Sequence, residues 1–373
     1  LGGGELTDEF KNSGAVFIDA TGMRFNPDHA RVLIDKICSL NSIKFALINS
    51  VESRVVLQGL AANFVPSISL LHEFSAYTRP KTAFMETMFW STRTVFSSSV
   101  IHQSAVRDFP NLADFPVHIL PQGRCEVTFA DVDEEKVALE EVRLRNIFKK
   151  LKVGHKRIVL GAGLIQLRKG VDLFIDCAAR VLESGQMDGL HFVWVGKGYD
   201  PEGDVQYSAY LHDQILRAGL EDHVTFIPET SAIHVVYDEA AAVLITSRLD
   251  PLPNVAIDAM SLGLPVLCFD KTTGIVDFLE ECGLRDACVA RYLHVPDMAR
   301  QLAALMKDET AVSSIGKTLK EASARRFAMQ TYIDGLESIA KEAIAQTRQE
   351  KADYITIEQA DVYRSDFIPP YPR

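Results

Sequence analysis

The stretch from Ser247 to Phe269, SRLDPLPNVAIDAMSLGLPVLCF, constrains this chain more than any other. It reads as a strand end, a loop, a helix and a second strand. Asp250 opens the loop, Pro251 and Pro253 stiffen it, and Asn254 stands where a helix N-cap belongs. Val255 to Leu262 is compatible with a helix that carries Asp258, and Gly263 marks its stop. Leu264 to Phe269 is then a short apolar run of the buried-strand type. A helix that starts at the carboxyl end of a strand presents unpaired N–H groups and the positive end of its dipole, which suits phosphate. Two carboxylates there suit the hydroxyls of a sugar or ribose. The pattern predicts a polar site shaped for a sugar nucleotide.

The rest of the chain alternates strands and helices. In the first part, strands are expected at 16–20, 43–48, 65–71, 94–97 and 117–120, with helices at 28–40, 52–62, 82–90 and 100–108. In the second, strands at 157–160, 191–195, 224–227 and 242–246 alternate with helices at 171–182, 208–218 and 233–240. From Asp297 the chain is mainly helical, over 298–306, 314–326 and 331–349. Such alternation means parallel sheets covered on both faces, with ligands beyond the carboxyl ends of the strands. His72 follows a strand at such an end. Four parts are expected: a first Rossmann-like lobe over 1–130, a linker helix over 131–152, a second lobe over 153–330, and a closing helix and tail over 331–373. The tail from Asp353, with Tyr354, Tyr363, Phe367, Tyr371 and three prolines, reads as extended.

A net charge of −11 argues against nucleic acid as a partner, and no long basic run suggests a polyanion patch. No run reaches the length of a transmembrane helix and no signal peptide is visible, which leaves room for peripheral membrane association. Six cysteines without a Cys-x-x-Cys pair read as reduced thiols in the cytoplasm. Ten histidines without metal-ligand spacing predict no zinc site. Gly2-Gly3-Gly4 lacks the preceding strand that a phosphate loop needs. Asp131-Val132-Asp133 spells a metal-binding Asp-x-Asp, but it precedes a helix in an acidic linker and is read as helix-start charge.

Three segments resemble retaining glycosyltransferases of family 4, which have the GT-B fold, an α/β architecture of two Rossmann-like lobes facing a cleft. Asp250, seven residues, Asp258 and then AMSLGLPV keep the spacing of the family signature, with both glutamates of the pattern replaced by Asp. Each carboxylate then falls short by one methylene, about 1.5 Å at most. The run GAGLIQLRKGVDLFIDCAARVL carries the family's Lys-Gly before a helix, at Lys169-Gly170. Many relatives have an Arg after the first turn glycine; this chain has small residues there, with Gly163 nearest, and Arg168 is a candidate substitute. SISLLHEF places His72 like the family's histidine near the donor sugar. The first lobe, on the acceptor side, is shorter than the family usually has.

The resemblance implies a retaining, metal-independent transferase that needs no cofactor. It would move a hexosyl-type unit from a nucleotide-sugar donor to a glycan or glycoconjugate acceptor, as in polysaccharide biosynthesis. Lys169 and Arg168 would take up the charge of the leaving diphosphate, Asp250 would hold sugar hydroxyls, and Asp258 the ribose. Asn254 and Val255 at the helix start, Gly163, Gly196 of Gly-Lys-Gly, Pro228, Thr273 and Gly274 would complete the donor side. A GT-B-shaped binding or scaffolding module without turnover is the alternative, suggested by the Asp replacements, the missing Arg and the short first lobe. An epimerase on the same fold is disfavoured, because no acid–base set is found near the sugar position.

Overall fold

Short apolar runs separated by helices pair in parallel, because a parallel neighbour is reached only through a crossover. The computed structural model shows this twice, in an α/β fold. It describes residues 4, 6–23, 25–125, 133–152, 156–186 and 189–359, with side chains up to 355. The chain divides into two compact units, Leu1–Ala130 with Met329–Arg373, and Asp131–Ala328.

The first unit contains β1 (Ala46–Asn49), β2 (Ser67–Leu71), β3 (Arg93–Phe96) and β4 (Val117–Ile119), all parallel and in the order β1-β2-β3-β4. Ile34 and Leu57, from helices Pro27–Leu40 and Leu57–Ala62, are buried in one core with Ile48 and Val65. Ile339, Ala340 and Ala343 of the long helix Met329–Gln359 pack with Ile68, Leu70 and Val95. Helix Pro27–Leu40 starts as its sequence demands, with Pro27 at the first position and the Asn26 side chain accepting from the His29 N–H at 3.1 Å. Two expectations fail here. Residues 16–20 form no strand: 16–19 are exposed and Ala20 is half-buried, and β1 pairs with β2 alone among the described residues. The closing helix runs on to Gln359, so 353–359 is helical and not extended, and Tyr354 packs on Phe64 with ring centroids 5.5 Å apart. Residues 1–3 and 5, Asp131, Val132 and the tail from 360 lie outside the described residues.

The second unit holds β5 (Arg157–Ala162), β6 (Leu190–Val195), β7 (Val224–Ile227), β8 (Ala240–Ile245), β9 (Val266–Phe269) and β10 (Val289–Ala290). They form one parallel sheet in the order β10-β9-β8-β5-β6-β7. The expected linker helix is Glu134–Leu151; it belongs to this unit, burying Leu144 and Phe148 in its core. Asp133 caps that helix by accepting from the Lys136 N–H at 3.1 Å, in keeping with helix-start charge. The strand order runs outward in opposite directions from β5 and β8. Their neighbouring carboxyl ends are therefore a topological switch point, where open α/β sheets bind ligands.

Candidate active site at the switch point

Two loops leave that point, one after β5 and one after β8. The first closes in a single tight turn, Leu167–Lys169, followed by Gly170 at φ 68° and the helix Val171–Glu183. Gly170 is required: an added Cβ would overlap the Thr246 carbonyl oxygen at the end of β8. This close approach brings the Lys169 ammonium to 2.6 Å from Asp250 Oδ2. The same oxygen accepts from Ser247 Oγ at 2.9 Å, and Arg168 Nη1 lies 3.6 Å from Oδ1 while donating to the Leu249 carbonyl at 2.9 Å. Asp250 is only 6% exposed. Lys169 and Asp250, 81 residues apart in the chain, are thus in contact, with Arg168 beside them.

The loop after β9 joins them. The Asp250 N–H donates to the Thr272 carbonyl and the Gly274 N–H to the Pro251 carbonyl, both at 2.8 Å, and Asp250 bridges Thr273. The hydroxyls expected there for ligand are turned to the chain itself. Thr272 Oγ1 donates to the Phe269 carbonyl at 3.0 Å, and Thr273 Oγ1 accepts from the Ile275 N–H at 3.3 Å; both residues are buried. On the β5 side Gly163 lies against Lys169, with its Cβ position 3.1 Å from Lys169 Cε. A side chain at Gly196 would strike the Gly163 carbonyl, which also accepts from Trp194 Nε1 at 2.9 Å. The Gly196 N–H bonds the Ile227 carbonyl at 3.0 Å, which sets exposed Pro228 beside it.

The helix after the signature loop is Asn254–Leu262. Pro253, not Asn254, occupies its N-cap position, and no side chain caps it; Asn254 is the first helical residue. The proline pair fixes the entry where an Asx cap was expected. Asn254 and Asp258 are four apart and share one face; Val255 and Asp258 are half-buried. His72, in the first unit, follows β2. Burial lowers its pKa more than neighbouring Glu73 raises it, so its imidazole is neutral near pH 7.

Sequence reasoning missed one cluster. Arg248 makes a bidentate pair with Asp172, at 2.9 and 2.7 Å, and its Nη1 donates to the Leu167 carbonyl at 2.8 Å. Tyr207 Oη donates to Asp172 Oδ1 at 2.8 Å. Burial works to raise the Asp172 pKa, but the Arg248 and Tyr207 hydrogen bonds outweigh it and hold the carboxyl low; burial, then Asp172, push the Tyr207 phenol up. The only available signal was an Arg two residues before Asp250.

Comparison with known proteins bears on the fold and on the second unit. Residues 142–322 match the glycosyl transferases group 1 family. Mannosylfructose-phosphate synthase of Agrobacterium fabrum is 27% identical over 153 residues, 40% of this chain and 32% of that protein. Alpha-D-kanosaminyltransferase of Streptomyces kanamyceticus is 24% identical over 212 residues, 56% of this chain and 52% of that protein. The chain thus spans about a third and about half of the length of these relatives. HepE of Anabaena, solved in complex with UDP, superposes with a TM-score of 0.65 at 18% identity, over 83% of this chain and 82% of its own. The chain carries a glycosyl transferases group 1 domain, and its two parallel-sheet units have the GT-B fold.

Proposed function

We propose that this chain is a cytoplasmic, retaining, metal-independent glycosyltransferase that moves a hexosyl-type unit from a nucleotide sugar to a glycan or glycoconjugate. The observation that carries the reading is the contact of Lys169 with Asp250 at the switch point. As the bond from the anomeric carbon to the diphosphate breaks, negative charge grows on the leaving oxygens. Lys169 and Arg168 stand ready to take up that charge, a task a divalent metal serves elsewhere. Asp250 would hold hydroxyls of the sugar and Asp258 those of the ribose, with the start of helix Asn254–Leu262 supplying N–H groups. His72, neutral at the end of β2, is proposed as a sugar contact. No side chain is assigned as a nucleophile: the acceptor oxygen would attack on the face the diphosphate leaves, and its proton would pass to the departing phosphate.

The second reading, a binding module without turnover, is favoured by how fully Asp250 is engaged. Lys169, Ser247 and Arg168 already surround its short carboxylate.

Both readings meet in one experiment. Nucleoside diphosphates and their sugars, starting with UDP and UDP-glucose, are screened by thermal shift on the wild type and Lys169→Ala, with and without EDTA. A ligand at about 100 times its Kd adds about 2.7 kcal/mol of stability. The transferase reading expects a shift that survives EDTA and is lost in the variant, together with slow donor hydrolysis whose first sugar product keeps the donor's anomeric configuration by NMR. A shift without hydrolysis supports the binding module. No shift with any nucleotide sinks the transferase reading and leaves a scaffolding module without a nucleotide site.

A further inference from the structure

We propose that Arg248 is a positioning residue that holds the Leu167–Lys169 turn and thereby aims Lys169 at the diphosphate; this rests on the donor-site reading above. Arg248 holds the chain on both sides of Lys169, at the turn before it and in the helix after it. Its backbone N–H donates to the Arg168 carbonyl at 2.8 Å, and its guanidinium donates to the Leu167 carbonyl at 2.8 Å. The same guanidinium grips Asp172, in the first turn of the following helix, through two bonds of 2.9 and 2.7 Å. Lys169 and left-handed Gly170 are therefore bracketed between fixed points at 167–168 and 172.

Asp172 is itself fixed. Tyr207 donates to its carboxylate at 2.8 Å and accepts from its N–H at 3.2 Å, and Gln214 Nε2 donates to its carbonyl at 3.1 Å. Tyr207 and Gln214 belong to the Tyr207–Arg217 region after β6, so three connections of the sheet meet at Asp172. A planar fork with five donors can grip a carboxylate bidentately and a carbonyl at the same time in one fixed geometry, which a lysine's single ammonium does not reproduce. Arg248 and Asp172 are both about a quarter exposed, and the pair lies next to the site without being spent on Asp250. A simple surface ion pair would need neither the carbonyl contact nor the tyrosine brace.

The test uses Arg248→Gln, Arg248→Lys, Asp172→Asn and Lys169→Ala, alone and combined, in the full chain at a temperature where circular dichroism shows every variant folded. Two readouts are taken. Amide hydrogen exchange needs no ligand: Arg248→Gln and Asp172→Asn should each speed exchange at 168–170 and 248 by about 10-fold or more, leaving β6 and β9 unchanged. UDP affinity by calorimetry should fall between about 10- and 100-fold in either variant, the scale of a displaced contact group. Arg248→Lys should fare no better than Arg248→Gln. In the Lys169→Ala background, Arg248→Gln should cost no further affinity, since it acts through Lys169. Unchanged exchange at 168–170 overturns the proposal whether or not UDP binds. So does a full Arg248→Gln effect in the absence of Lys169, which would make Arg248 a direct ligand contact. If the wild type binds no nucleotide while exchange responds as expected, the donor reading falls and the bracing of the turn stands.

Discussion

The two units use the same architecture, yet they differ in how many groups meet at one place. In the second unit, Lys169, Arg168 and Ser247 converge on buried Asp250, and Arg248, Asp172 and Tyr207 form another cluster beside it. In the first unit, His72 has Glu73 as its charged neighbour, and the edge strand β1 leaves Leu47 exposed. A point where several partners must meet admits few residue types, so its sequence is a motif. A position with one partner, or none, admits many. The second unit is therefore where substitutions should matter most, and that ranking can be broken.

The largest effect is expected at Asp250. Asp250→Asn should lower turnover of the donor by about 10²–10³, the usual range for a group that stabilises the reacting centre. UDP alone, lacking the sugar, should bind as well as before or more tightly, because Lys169 is released from its 2.6 Å partner. Parallel kinetics and calorimetry separate the two. Equal loss of UDP binding and turnover would mean that Asp250 merely builds the loop.

Glycines sharpen the contrast next. Gly170→Ala places a Cβ against the Thr246 carbonyl in a left-handed turn, and should cost about 2–3 kcal/mol in urea unfolding. Gly14, in the first unit, is also left-handed at φ 88° but has open space around it. Gly14→Ala should cost about 1 kcal/mol, the conformational strain alone. Equal costs would show that the switch-point loops yield more readily than the contact implies.

What could be read from the sequence follows the same division. The meeting of Asp250 with Lys169-Gly170 was legible because glycines and charges at strand ends answer to local geometry. Arg248 was not, since its meaning depends on Asp172 and Tyr207, 76 and 41 residues earlier in the chain, and only the folded sheet unites them. The expected Asn254 cap failed because Pro253 already fixes the helix entry. Strand propensity at 16–20 was real, but a strand exists only by pairing, and pairing is not local. The helix from Pro27 was legible because its cap and proline lie within four residues of each other.

A pH test follows within the second unit. Burial, then Lys156 and His223, push the His191 pKa down to about 4, and its Nε2 lies 2.9 Å from Thr225 Oγ1. The folded chain thus keeps His191 neutral, while the unfolded chain binds a proton below about 6.5. Stability from this group is full above pH 6.5 and is lost as pH falls from 6.5 toward 4. The interval is worth about 3 kcal/mol, reduced to about 2 by screening near the sheet edge. Urea unfolding at pH 7.5, 5.5 and 4.5 should show a steeper loss in the wild type than in His191→Gln. Parallel slopes would mean that the histidine is protonated inside the fold.

The smallest effect is expected at the start of the first unit. Val16 is 89% exposed, so Val16→Ser should change stability by less than about 0.5 kcal/mol. The position is informative because of its place in the chain. An apolar run at 16–20, the helix Pro27–Leu40 and β1 occur in the order and at the spacing of a βαβ unit, and β1 has one strand neighbour among the described residues. A right-handed crossover would set 16–20 parallel to β1 on its open side. Val16 would then lie with every second residue of a fifth strand on the buried face, and the same substitution would cost above 1 kcal/mol. A loss of that size, with amide protection appearing at 16–20 and at Leu47, would overturn the exposed arrangement and bring the first unit closer to the second in strand count.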